Sequence, residues 1–471
     1  MKLEQIYTPC LAHAAYYLES DGEVALFDPL RDPRPYLEKA KENNATIHYI
    51  FETHFHADFV SGHLDIARQS GAQIVYGPTA QPMFEAIIAK DNQEFRLGKC
   101  KIKAIHTPGH TLESTVYLIT DENGKQTSLI TGDTLFIGDV GRPDLAQHVI
   151  ADLTEDRLAS MLYHSLKNKI LPLDDTLIIY PNHGAGSACG KNISKKTKDT
   201  LGNQKKTNYA LNPKLSESEF KALLLSGLAP PPQYFPSNVL LNIQGYTSHE
   251  DVLKKSNKPL SISEFISLYQ NANPILLDTR EAEQFAAAHI PNSINIGLNG
   301  NFAPWVGEII RNINQPILLI CNKNTEQEAI IRLARIGYDG VLGYLENGFE
   351  TWEKEHKNIA HSARINAHEF SKLIENKSTH ILDVRKKSEF DSQHVIDSQN
   401  IPLNQLESQL NQIPRDKPFI LVCVGGYRSM IAASILKKHG INNFVDIRGG
   451  ISAIKKTPIT LTTYQEPISY L

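Results

Sequence analysis

Cysteine is scarce in this chain: five thiols in 471 residues, at positions 10, 100, 189, 321 and 423. Their odd number and wide spacing exclude the disulfide framework of a small secreted scaffold, so any cysteine that matters here acts through its chemistry. Also lacking is any run of about 18 apolar residues, the length that spans a bilayer. The opening MKLEQIYTPCLAHAAYYLESDGE has no basic start, long apolar core or cleavage site of a secretory leader. A cytoplasmic protein with no membrane partner is expected. Nor is there a surplus of either charge, because 48 Lys and Arg against 52 Asp and Glu leave a net charge of −4. That gives no general electrostatic reason to bind nucleic acid and favours a small-molecule partner. Whether copies of the chain associate into a homo-oligomer is left open.

What is present is organised in three parts, as about 150 residues per domain would give. Up to about Tyr180, short β-rich runs (AAYYLES, EVALFDP, IHYIFE, QIVYG, STVYLIT, SLITGD, TLIIYP) alternate with helical patterns, joined in places by tight turns such as SDGE and DENGK. Hairpins mixed with βα units imply an α/β sandwich. LAPPPQYFPSN, residues 228–238, reads as a linker, since its prolines sustain neither helix nor central strand. Beyond it the chain repeats itself. ILLDTREAEQFAAAHIPNSINI and HILDVRKKSEFDSQHVIDSQNI align at a shift of 105, pairing Asp278 with Asp383, Arg280 with Arg385, Phe285 with Phe390 and His289 with His394. Each copy continues as strand, cysteine, helix, strand, which makes two copies of one small α/β domain. The domains are placed at residues 1–245, 258–360 and 363–460.

In the first part, THFHADFVSGH brings His54, His56, Asp58 and His63 to the C-terminal end of an apolar strand, where open α/β sheets place ligand sites. HTPGHT adds His110, LITGDTLF adds Asp133 and PNHG adds His183, each just beyond a strand. Four such clusters of metal-ligand residue types in one domain point to a metal centre, with His63 and His106 read as structural. FIGDVGRPDL follows Asp133, and its glycines permit a loop close to the site. Arg142 within it is a candidate for substrate binding or for a turn paired with Asp144. Cys189, six residues after His183 in HGAGSACGK, is a candidate substrate-sulfur contact or a buried inert thiol. Six lysines between Lys191 and Lys206, against Asp199 alone, make either an anion clamp or a solvated face.

These motifs resemble the metallo-β-lactamase fold, an αββα sandwich, and within it the branch of glyoxalase II and persulfide dioxygenases. In the two-metal hydrolases of that fold a histidine follows the motif aspartate, whereas this chain has Phe59, which cannot ligate. The resemblance therefore implies one Fe(II) per chain on His54, His110 and Asp133, a facial set suited to O₂ chemistry. His56, Asp58 and His183 become orienting groups or alternative metal ligands. Zinc is not excluded by the residues.

In the second repeat CVGGYRS follows a strand and opens a helix. A thiolate at Cys423 would face loop N–H groups, a helix N-terminus and Arg428, all of which favour the anion. Gly425, Gly426 and Tyr427 complete the loop as candidate substrate-binding residues. The arrangement resembles rhodanese domains. Four residues separate Cys423 from Arg428, one fewer than in phosphatases of this fold, and the smaller loop suits a persulfide sulfur. In the first repeat the loop is CNKNTEQ, with Glu326 at the place of Arg428, so Cys321 is expected to be inactive. The whole is expected to resemble fusions of persulfide dioxygenase with rhodanese: a low-molecular-weight thiol persulfide, of glutathione or coenzyme A, reacts with O₂ to give sulfite, and Cys423 passes sulfane sulfur on to form thiosulfate. The rival readings are a binuclear zinc thioester hydrolase of the glyoxalase II type and a non-catalytic sulfur carrier or sensor.

Overall fold

The computed structural model describes residues 1–145, 153–228, 230–355, 358–374 and 379–465. The described residues divide into two compact units, the first built on Met1–Val252 and the second on Leu253–Leu333 and 338–465.

The first unit contains two six-stranded sheets. One is ordered Lys2–Thr8, His13–Ser20, Glu23–Phe27, Thr46–Phe51, Gln73–Tyr76, Ile87–Ile88; the other is ordered Asp199–Thr200, Ile178–Pro181, Gln126–Gly132, Thr115–Thr120, Cys100–His106, Glu94–Leu97. The expected hairpins are present. Asp21 and Gly22 both adopt left-handed φ (56° and 79°) to turn His13–Ser20 into Glu23–Phe27, the backbone that a tight two-residue turn requires. The unbroken apolar run of Thr115–Thr120 has a physical reason. Successive side chains point to opposite faces, and here both faces are covered. Tyr117 and Ile119 join Phe27, Phe51 and Ile130 in one core cluster, while Val116 and Leu118 pack with Leu162, Leu166 and Phe220 in another. The loops that leave the strands are thereby held from behind on both sides.

One sequence expectation needs correction. The proline-rich stretch 228–238 is not a plain linker, because a helix runs Phe235–Gln244 with Pro236 in its first turn. Proline there costs no intrahelical hydrogen bond, since the first N–H groups of a helix have no partner anyway.

The second unit holds two five-stranded sheets in which every pair is parallel: Pro259–Leu260, Val341–Leu345, Ile317–Ile320, Ile275–Asp278, Ile294–Asn295, and Arg364–Ile365, Phe444–Ile447, Phe419–Val422, His380–Asp383, Gln399–Asn400. The repeat read from the sequence extends to side-chain geometry. Arg280 pairs with Asp278 at 2.6 Å and Arg385 with Asp383 at 2.6 Å, all four buried. Phe285 stacks on His289 at 3.9 Å and Phe390 on His394 at 3.7 Å. In both copies the central strand delivers its cysteine to the loop beyond its C-terminal end.

Candidate metal centre and sulfur cradle

The strand Thr46–Phe51 ends in a loop that carries His54, His56 and Asp58, and the loops after Cys100–His106, Gln126–Gly132 and Ile178–Pro181 bring His110, Asp133 and His183 to it. All six side chains are buried. His54 Nε2 lies 4.0 Å and His110 Nε2 3.4 Å from Asp133 Oδ2, and the three residues form a cluster with ligand atoms within 4.8 Å of one another. Each imidazole is oriented from its far side. His110 Nδ1 donates to the Arg142 carbonyl at 2.7 Å, and His54 Nδ1 lies 2.9 Å from Thr53 Oγ1. The proton bound to His110 Nδ1 leaves the lone pair on Nε2, turned toward the carboxylate, as a metal ligand needs. Both Asp133 oxygens lack a hydrogen-bond partner. Buried and unpaired, that carboxyl is raised to about 6 by loss of hydration, while burial holds His110 down to about 4 and His54 well below the usual histidine range. Neutral imidazoles around an orphaned carboxylate fit a divalent cation.

The loop after Asp133 approaches as its glycines allow. A side-chain carbon at Gly141 would lie 2.2 Å from the Asp133 carbonyl and 2.8 Å from His110 Nδ1. Arg142 serves the centre through its backbone. Its guanidinium grips Asp144 at 2.6 and 2.5 Å, so the pairing alternative is the one formed, and both residues are buried rather than on a surface turn.

A second cluster joins Asp58, His183 and Cys189 within 4.8 Å. His183 Nε2 lies 3.5 Å from both Asp58 Oδ2 and Asp133 Oδ1. Burial raises Asp58 to about 6, and burial with Asp58 and Asp133 nearby pushes the Cys189 thiol well up. Cys189 is thus both buried and beside the centre. Phe59 is fully buried, with its ring 4.3 Å from those of both His13 and His56.

His56 Nε2 is 2.9 Å from Asp28 Oδ1 and 3.3 Å from Glu52 Oε2, which leaves its Nδ1 without a hydrogen-bond partner. Burial opposes charge on this ring, but the two carboxylates prevail and raise its pKa well above the ordinary value. Glu52 also accepts from Ser61 and lies 3.4 Å from His63, which gives His63 a structural place. Asp28 and Glu52 were not singled out from the sequence, although both end β-rich runs, as Asp133 does. His13, whose two ring nitrogens are buried without partners, carried no signal. Asn242, on the helix Phe235–Gln244, accepts from the Ser61 N–H at 2.9 Å and donates to the carbonyls of His56 and Phe59 at 2.8 Å. Of the lysine cluster, Lys191 and Lys205 donate to main-chain carbonyls and Lys205 also pairs with Asp175.

In the second unit, Cys423 Sγ accepts the Gly426 N–H at 3.1 Å and lies 3.4 Å from Ser429 Oγ. Gly426 takes φ 95° and caps the helix Tyr427–Lys438, so the sulfur faces that helix's N-terminus. Gly425 is exposed. Two loop residues are engaged elsewhere. Tyr427 donates to the Gly297 carbonyl of the first repeat at 2.8 Å, and Arg428 is held by Glu389 at 2.6 and 2.8 Å. Cys321 is buried, and burial together with Glu326 pushes its thiol up to about 12.

The signature described as Metallo-beta-lactamase superfamily matches residues 8–183, and that described as Rhodanese-like domain matches residues 261–355 and 366–457. A solved metallo-beta-lactamase from Staphylococcus aureus subsp. aureus COL is 32% identical, with a TM-score of 0.63, over 74% of this chain and 98% of its own. The chain belongs to the metallo-beta-lactamase superfamily. Two rhodanese-like domains follow its metallo-beta-lactamase fold. Among curated proteins, this superfamily member is 29% identical over 189 residues to the cytoplasmic hydroxyacylglutathione hydrolase of Arabidopsis thaliana, covering 38% of this chain and 73% of that protein. It is 37% identical over 141 residues to the hydroxyacylglutathione hydrolase of Dictyostelium discoideum, covering 29% of this chain and 48% of that protein. No helix among the described residues is long and apolar enough to cross a membrane.

Proposed function

We propose that the first domain is a mononuclear Fe(II) persulfide dioxygenase and that Cys423 of the last domain transfers sulfane sulfur to its product. The observation that carries this is Phe59, fully buried against His13 and His56 beside the centre. It denies a nitrogen ligand to a second metal and leaves His54, His110 and Asp133 as a complete set of two imidazoles and one carboxylate. When bound, Fe(II) in such a set supplies O₂ chemistry at open coordination positions. The net reaction is RSSH + O₂ + H₂O → RSH + SO₃²⁻ + 2H⁺, with RSH a small thiol such as glutathione or coenzyme A. Thr53 and Arg142 fix the ligating rings, and Asp58 Oδ1 and His183 Nε2, both without hydrogen-bond partners, are the atoms placed to take the released protons. Cys423, having accepted a sulfur atom from RSSH, delivers it to sulfite to form thiosulfate.

A second reading has its own support. The curated relatives bear the name hydroxyacylglutathione hydrolase, and Asp58, His183 and Cys189 keep three metal-ligand types together. A binuclear zinc thioester hydrolase would use both clusters. Metal content of protein produced with iron and zinc both available, with parallel assays of O₂ uptake on glutathione persulfide and of hydrolysis of a glutathione thioester, separates the two. One iron and persulfide-dependent O₂ uptake are expected. Two tightly held zinc ions with thioesterase activity overturn the dioxygenase reading.

A further inference from the structure

We propose that Glu389 is a gate for the anionic acceptor of sulfur transfer, its carboxylate occupying the edge of Arg428 that an oxyanion such as sulfite must take. The proposal rests on the assignment of transfer to Cys423. Arg428 Nη1 donates to Glu389 Oε2 at 2.6 Å and Nη2 to Oε1 at 2.8 Å, with 15% and 32% of the two side chains exposed. The planar fork of a guanidinium matches a carboxylate or an oxyanion through the same two donors, so a bidentate grip by Glu389 on the Nη1/Nη2 edge excludes an oxyanion from that edge.

The repeat supplies an internal comparison. Glu389 has a second task, because its Oε2 accepts the Lys386 N–H at 3.0 Å and caps the short helix Lys387–Ser392. In the first repeat Gln284 stands at the equivalent place, and its Oε1 accepts the Glu281 N–H at 3.1 Å in the same cap. An amide therefore meets the demand of the fold. Of the two repeats, the negative charge is present in the one that has an arginine on its cysteine loop, while the other has Glu326 there. The charge answers to Arg428 rather than to the helix.

In the transfer itself, a lone pair on the sulfur of sulfite attacks the outer sulfur of Cys423–S–SH. The S–S bond breaks, Cys423 leaves as thiolate, the proton of the outer sulfur passes to solvent and thiosulfate departs. Arg428 holds the sulfite oxygens only after releasing Glu389. Removing the charge should therefore ease entry of anions and matter little to a neutral acceptor.

The test is steady-state transfer from a persulfide donor in the full chain under exclusion of O₂, so that the first domain neither consumes the donor nor makes sulfite, with sulfite or neutral 2-mercaptoethanol as acceptor. In Glu389→Gln, which keeps the cap as Gln284 does, KM for sulfite should fall roughly threefold, the scale of a partly exposed ion pair. KM for 2-mercaptoethanol should move by less than that, and Glu389→Asp, which keeps the charge but shortens its reach, should lower KM for sulfite by less than Glu389→Gln does. An unchanged or raised KM for sulfite in Glu389→Gln overturns the gate. Cys423→Ser in the same assay keeps the two ideas apart: loss of transfer there with a parental KM in Glu389→Gln defeats the gate alone, and persisting transfer defeats the assignment beneath it.

Discussion

In the proposed mononuclear reading, Phe59 limits the ligands that the metal loop offers. Its ring packs 4.3 Å from those of both His13 and His56, so the smaller imidazole of Phe59→His fits the space and, on the proposed reading, offers a nitrogen toward a second metal. Elemental analysis should then rise from one metal per chain toward two, and a variant that stays at one would place the limit elsewhere. The carboxyls predict a pH dependence at the same scale. Burial raises both Asp133 and Asp58 to about 6, so below that pH each must lose a proton before it can ligate. His110 titrates only near 4 and does not compete above it. Metal affinity, followed by competition with a chromophoric chelator, should be nearly flat above pH 7. It should fall roughly tenfold per pH unit for each ligating carboxyl below about 6.

Elements carry these residues, and most of the elements were legible. Strand-end positions of His54, His110, Asp133 and His183 follow from short β-rich runs that end in ligand-type residues, and the two repeats announce themselves by a constant shift. The helix Phe235–Gln244 was not legible, because a proline-rich run reads as a break unless the first-turn exemption of Pro236 is known to apply. Its partner is distant in sequence as well: Asn242 ties three main-chain groups of the loop from His56 to Ser61, across about 180 residues. Local pattern carries no information about such a contact. The engagement of Arg428 by Glu389 was hidden for a related reason, since a sequence gives a side chain's charge and not its partner; of the Arg142–Asp144 pair, two residues apart, the sequence offered the pairing but not its burial. Asn242→Ala leaves those three buried groups unpaired, which costs about 2–3 kcal/mol. A lower thermal midpoint and faster loss of metal to a chelator should follow; unchanged metal retention would mean that the loop holds its shape without the helix.

For the whole molecule, the decisive feature is that the metal cluster and Cys423 belong to different compact units, so each activity should be removable by itself. His110→Ala deletes one of the three proposed ligands and should abolish persulfide-dependent O₂ uptake while thiosulfate-to-cyanide sulfur transfer continues. Cys423→Ser retains the loop shape set by Gly426 but replaces the thiol with a hydroxyl that is far less acidic and cannot form a persulfide. O₂ uptake should then continue while the product changes from thiosulfate to sulfite. Cys321→Ser should alter neither, because that thiol is buried and pushed up to about 12, which leaves almost no thiolate at neutral pH to accept sulfur. Thiol-labelled sulfur speciation by chromatography after aerobic reaction with excess persulfide reads all three variants at once. Thiosulfate formed by Cys423→Ser at the parental rate, after subtracting the non-enzymatic reaction of sulfite with persulfide, would move the transferring role to another thiol. Cys189 and Cys321 would then be tested in turn, both being buried thiols that burial pushes up.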